Sequence, residues 1–244
     1  MVGNPDHTRT YLTTYLYKLA SLCGNAKTSF SMLVQSTNQL RPPRRPQGPM
    51  SPDTRAQFFS EMAKWGSMRK TNASLNRIAL DSFIITSANI SKLVWPPVAD
   101  NVKDEEKKKK MDRRRRRKEH LDKFFPSETY QNLKNKGFRN FLEHFDDELD
   151  KLGESGNGNS NIAMDTMGFS RGISTGTITG NITVLNDFDY NTFTITYYDE
   201  KKGSETANLN DMYQEIMKLQ DQIPKALVEI NDAPPNHYDF IIDE

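Results

Sequence analysis

Residues 137–152 read GFRNFLEHFDDELDKL, and within them Arg139, Asn140 and His144 stand close together. Arginine carries a planar fork of donors that stays charged at any ordinary pH. Histidine exchanges a proton near neutrality. Side by side, the two could stabilise a developing negative charge and transfer a proton without a metal. On a helical wheel, Phe138, Phe141, Leu142, Phe145, Leu149 and Leu152 fall in one arc and make the core face. Asn140 and His144 lie on one border of the polar face and Arg139 toward the other, so a reaction site would need a second surface to complete it. The plainer alternative is a solvated polar face with Arg139 paired to Glu143 one turn later. Arg115 and His120 repeat the same spacing in a different setting.

The elements around this segment are legible from periodicity. Residues 8–38 carry Leu12, Tyr15, Leu16, Leu19, Leu22 and Cys23 at three- and four-residue spacing, which predicts a helix. RPPRRPQGPMSP, 41–52, breaks it. A second helix is predicted over 53–94. Its later half, LNRIALDSFIITSANISKLVW, is apolar on nearly all sides, as a central buried helix would be. Residues 102–124 hold a basic segment, in which acids three and four positions before lysines favour a helix. Five consecutive arginines repel one another and favour disorder over part of it. Pro126, Ser127, Glu128 and Thr129 read as the start of a helix running to Leu152.

Past Gly153 the composition changes. Residues 153–180 form a loop rich in Gly, Ser and Asn. NITVLN and NTFTITYYD, joined by DFDY, read as a β-hairpin, with Phe193, Ile195 and Tyr197 on one face. NLNDMYQEIMKLQDQI follows as an amphipathic helix through Leu209, Met212, Tyr213, Ile216 and Leu219. The expected organisation is therefore mainly α: a helical bundle over 8–152, the loop 153–180, a hairpin-plus-helix appendage over 181–224, and an acidic tail over 225–244.

The basic run KKKKMDRRRRRK, 107–118, sets ten cations against one acid in a chain whose net charge is only +1. The rest of the chain is therefore acidic. Lys107, Lys108, Lys109, Lys110, Arg113, Arg114, Arg115, Arg116, Arg117 and Lys118 would attract phosphate backbones independently of sequence. The run could equally be a solvated linker or dock an acidic protein. A single cysteine, Cys23, excludes a disulfide framework and fits a reducing, cytoplasmic setting. No apolar run is long enough to span a bilayer, so no membrane partner is expected. The four histidines and one cysteine have no metal-ligand spacing, and neither a metal nor another cofactor is expected.

RNFLEH resembles the R-[polar]-x3-H motif of the HEPN superfamily. RNFLEHFDDELD, with ANISKLVWPP upstream, also resembles uncharacterised bacterial HEPN-like proteins. The resemblance covers roughly residues 53–152 and implies a four- to five-helix bundle. It further implies a metal-independent endoribonuclease of a toxin or antiviral-defence type. Arg139 would hold the scissile phosphate, His144 would act as acid or base on the ribose hydroxyl or the leaving oxygen, and Asn140 would orient one of them. The two motifs would meet in a homodimer through the helix 127–152. Family members silenced by nucleotidyl transfer carry a tyrosine two residues after the histidine, where this chain has Asp146. Many relatives are non-catalytic, so the alternative is an HEPN-like interaction or nucleic-acid-binding module in a larger complex.

Overall fold

The computed structural model describes residues 5–99, 102–135, 161–163, 166–167, 182–184, 186–199 and 203–232. The chain is mainly helical, with a small antiparallel sheet near its C-terminus followed by a helix. It divides into two compact units, Gly24–Thr86 and the combination of Met1–Cys23 with Ser87–Glu244. Helix α1 is Pro5–Leu40 and α2 is Pro52–Val94.

Within Gly24–Thr86, the proline-rich connection between α1 and α2 has the boundaries that its composition dictates. Gly48 sits there at φ +89°, a backbone angle that costs glycine little. Ser51 caps α2: its hydroxyl accepts from the Thr54 N–H at 3.2 Å, and Pro52 and Asp53 occupy the first turn, where each is favoured. The two helical segments run antiparallel, since Phe30 meets Phe83 while the later Leu33 meets the earlier Asn76. Buried Asn76 donates to the Leu33 carbonyl and to the hydroxyls of Ser36 and Thr37 at 3.4, 3.1 and 2.8 Å, so its amide hydrogens are satisfied inside the core. The later half of α2 is not buried all round. Leu80, Phe83 and Ile84 are buried, whereas Ile78 and Ile85 are 60% and 58% exposed. Helical geometry turns those two apolar positions away from the buried face.

The other unit contains α3, Glu105–Phe124. Asp104 caps it by accepting from the Lys107 N–H at 2.9 Å, and Glu105 and Glu106 fill its first turn. The helix runs unbroken through all five arginines. Their repulsion is offset by Asp112, which pairs with Arg115 at 2.9 Å, and by contacts outside the helix described below. The helix end is anchored by Trp95, whose indole N–H donates to the Phe125 carbonyl at 3.2 Å and whose ring lies 5.5 Å from that of Tyr130.

The helix expected from Ser127 does not form over the described residues. Ser127–Thr129 make a single 3-10 turn with no side-chain cap, and 131–134 continue as turns. The cause is tertiary. Buried Glu215 accepts the backbone N–H groups of Asn132 and Leu133 at 3.1 and 2.8 Å, and the Asn132 side-chain amide at 2.8 Å. Hydrogen bonds to a charged acceptor are stronger than the neutral ones a further helical turn would supply.

The hairpin is real but displaced in register. Strand β1 (Asn161–Ala163) lies within the stretch expected to be loop, and pairs in parallel with β3 (Ile182–Val184). The two-residue strand β2 (Thr166–Met167), in the same stretch, pairs in parallel with β4 (Asn186–Asp189). The antiparallel sheet is β4, β5 (Thr194–Asp199) and β6 (Gly203–Asn208) in that order. DFDY, expected as the turn, thus supplies most of β4. Phe188 faces Ile195, which faces Ala207, giving a buried row across three strands. Tyr197 is buried beside Ile195 in the alternating pattern, while Phe193 sits in the turn at φ 53°. Helix α4, Leu209–Asp232, buries Leu209, Met212, Ile216, Leu219, Ile223, Ala226 and Ile230. It passes through exposed Pro224 and continues beyond the end expected near 224, because Ala226 and Ile230 extend its buried stripe.

Candidate nucleic-acid interface

The ten cations of the basic run have two different environments. From Lys103 to Lys110 every residue is exposed, so the first turns of α3 meet solvent on all sides. Lys107, Lys108, Lys109 and Lys110 project from these turns, with Lys108 3.8 Å from Glu105. Arg113 is also exposed. Arg114, Arg115, Arg116, Arg117 and Lys118 are half-buried. Arg114 donates to the Pro97 carbonyl at 3.4 Å, and Arg115 is held by Asp112. Arg117 donates to the Tyr15 hydroxyl at 2.8 Å and lays its guanidinium over the same ring, 4.7 Å from the centroid. A planar, weakly hydrated cation suits that stacked position, which an ammonium could not reproduce.

Tyr15 shares a second hydrogen bond, with the Tyr11 hydroxyl at 2.8 Å. Burial first, then this hydrogen bond and the charge interaction with Tyr15, push the Tyr11 phenol up to about 12; Arg117 and Arg113 pull the other way. The aromatic partners of the basic run therefore come from α1, about a hundred residues earlier in the chain. Sequence reading placed Tyr15 in an apolar stripe and passed over Tyr11. The available signal was their one-turn spacing, which places two hydroxyls together on one helix.

Glu215 was also missed, for it stands within the apolar stripe of α4 beside Ile216. An acid there is a sign that some donor must be buried with it. Next to its donors, Asn135 donates to the Tyr197 hydroxyl at 3.2 Å. Burial, followed by the charge of Glu215 and that of the Cys23 thiolate where it ionises, raises the Tyr130 phenol above its ordinary range. These contacts fix the chain just before the Arg139 motif. Arg139, Asn140 and His144 themselves lie outside the described residues, as does most of the segment expected to make the dimer helix.

Among the described residues, no group of three or more His, Cys, Asp and Glu could hold a metal ion, and no helix is long and apolar enough to cross a membrane. What the described geometry offers is an exposed cationic helix start, followed by arginines held by Pro97, Asp112 and Tyr15. No family model, curated protein or solved structure matches this chain.

Proposed function

We propose that this chain is a nucleic-acid-binding interaction module that docks a phosphate backbone, RNA in the first instance, on the first half of α3. The observation that carries this reading is the exposure of Lys107, Lys108, Lys109, Lys110 and Arg113 on consecutive helical turns. Long exposed cations replace the condensed counterions of a polyanion, and release of those ions drives binding. The acids Asp104, Glu105 and Glu106 lie at the extreme start of the helix, so the cationic stretch begins one turn in.

The test is the salt dependence of binding to RNA. Replacing Lys107, Lys109, Lys110 and Arg113 by glutamine should lower the slope of log affinity against log salt by about 3, at roughly 0.7 per phosphate contact on single strands. An unchanged slope would assign the run to protein docking or to a solvated linker.

The motif Arg139–Asn140–His144 supports a second reading, HEPN-like metal-independent endoribonuclease activity. Cleavage of single-stranded RNA with EDTA present should fall roughly 10²–10⁴-fold in His144→Ala, the usual size of a lost proton-transfer step. Arg139→Lys should be nearly as impaired, because lysine lacks the fork. Equal cleavage by His144→Ala and wild type would leave the binding module alone.

A further inference from the structure

Phosphate needs only cations, and so does an acidic peptide. The cationic start of α3 has more than cations beside it. Tyr11 and Tyr15 lie one turn apart on α1, with ring centroids 4.6 Å apart and the rings edge-on. Arg117 holds Tyr15 by both its hydroxyl and its face, and Tyr15 holds Tyr11 through the shared hydroxyl contact. Tyr11 nevertheless remains 42% exposed. On α3, Lys110, Arg113 and Arg117 follow at intervals of three and four residues and so share one helical face. Lys110 and Arg113 are exposed, and Glu106 is the acid one turn before Lys110 on this face.

An exposed aromatic ring restrained beside exposed cations adds affinity for one kind of polyanion in particular. A nucleic-acid base offers a flat face to stack on, but only when it is free of its neighbours. In a duplex both faces of each internal base are already covered. A ring already held in place also loses little conformational freedom on binding. We propose that Tyr11, with Lys110 and Arg113, forms a stacking platform for an unpaired base of a single-stranded nucleic acid. This rests on the reading of α3 as a polyanion site and narrows it to single strands.

The experiment is fluorescence anisotropy on the full chain with a labelled oligouridine of about ten nucleotides, a length matched to one small binding surface. A duplex RNA of the same length, the variants Tyr11→Ala and Tyr11→Phe, and the four-glutamine variant complete it. Tyr11→Ala should bind oligouridine about tenfold more weakly, the loss expected for one stacked base. Its duplex affinity should be unchanged, which also reports that it is folded. Tyr11→Phe keeps the ring and should bind oligouridine like wild type. If Tyr11→Ala matches wild type on oligouridine, or weakens strand and duplex equally, the platform is wrong. In that case a weakened four-glutamine variant would still uphold the cationic site. If wild type binds neither RNA, or polyglutamate binds in their place, the α3 reading fails and the platform with it.

Discussion

Lys107–Lys110 and Arg114–Arg117 are two adjacent cationic blocks on one helix, yet the protein uses them differently. The lysines stand on the first turns of α3, and all four are exposed. The arginines lie further along, where Pro97, Asp112 and Tyr15 take up guanidinium donors. The difference follows from side-chain chemistry. A compact, strongly hydrated ammonium is best left in water, whereas a planar guanidinium can stack and donate in several directions at once. Charge density in a sequence therefore does not measure the charge available to a partner. Glu215 makes the same point with opposite sign: a single acid drawn inward is spent on three donors of the chain itself.

If that contrast is right, inward and outward charges should separate cleanly by what their loss affects. The largest stability effect is expected at Glu215. Glu215→Ala leaves two backbone N–H groups and an amide without their acceptor, and should cost roughly 3 kcal/mol in chemical denaturation, at the upper end for a buried charged acceptor. A cost within about 0.5 kcal/mol would mean that the 130–135 turn stands without it.

Arg117 comes next. Arg117→Ala loses a cation–π contact and a charged hydrogen bond at a half-buried site, and should destabilise by about 1–2 kcal/mol. Arg117→Lys should restore little of this. Lysine performing as well as arginine would break the proposed distinction between the two blocks.

The inward side also predicts sensitivity to alkali. Burial raises the Cys23 thiol from 9.0 to about 12, the Tyr11 phenol is raised from 10.0 to about 12, and Tyr130 is raised as well. Each group loses its proton more readily in the unfolded chain than in the folded one. Their contribution is therefore full below about pH 9 and drains away as pH rises toward 12. Circular dichroism followed against phenolate absorbance should show unfolding within that window, and Cys23→Ala should shift its onset upward. Titration of the Tyr130 phenol at its ordinary pH, with the fold intact, would contradict its burial.

The smallest effect belongs to the outward block. Lys109→Gln should change stability by less than about 0.5 kcal/mol, as at an ordinary surface site, while still lowering the salt slope of RNA binding. A larger loss of stability would show that the lysine block, too, is structural.

Much of the local structure was legible because it is decided locally. Apolar spacing through Leu12, Leu16 and Leu19 marks α1. The proline-rich break over 41–52 marks the start of α2, the acids 104–106 ahead of the lysines mark α3, and the alternation at Ile195 and Tyr197 marks β5. Strand β6 was not legible. GSETAN has little β-propensity of its own and pairs because β5 offers it a ladder of backbone partners. The candidate interface was half legible, as a count of cations. Which of them face water depended also on groups outside the helix, Pro97 and the distant Tyr15.

The sequence by itself determined that this protein is mainly helical, that one dense basic block interrupts an otherwise acidic chain, and that a strand-and-helix element follows a glycine-rich stretch. These follow from residue spacing, proline breaks and charge, each acting over a turn or two. Tertiary structure alone decided that Arg114 and Arg117 turn inward while Lys107–Lys110 stay in water, and that Ser127–Thr129 stop at one turn. It also set Tyr11 beside a cationic face. The physical reason is that propensity differences are a fraction of a kcal/mol per residue, whereas a buried carboxylate or a stacked guanidinium contributes one to a few. Such groups find their partners only once distant segments have been brought together.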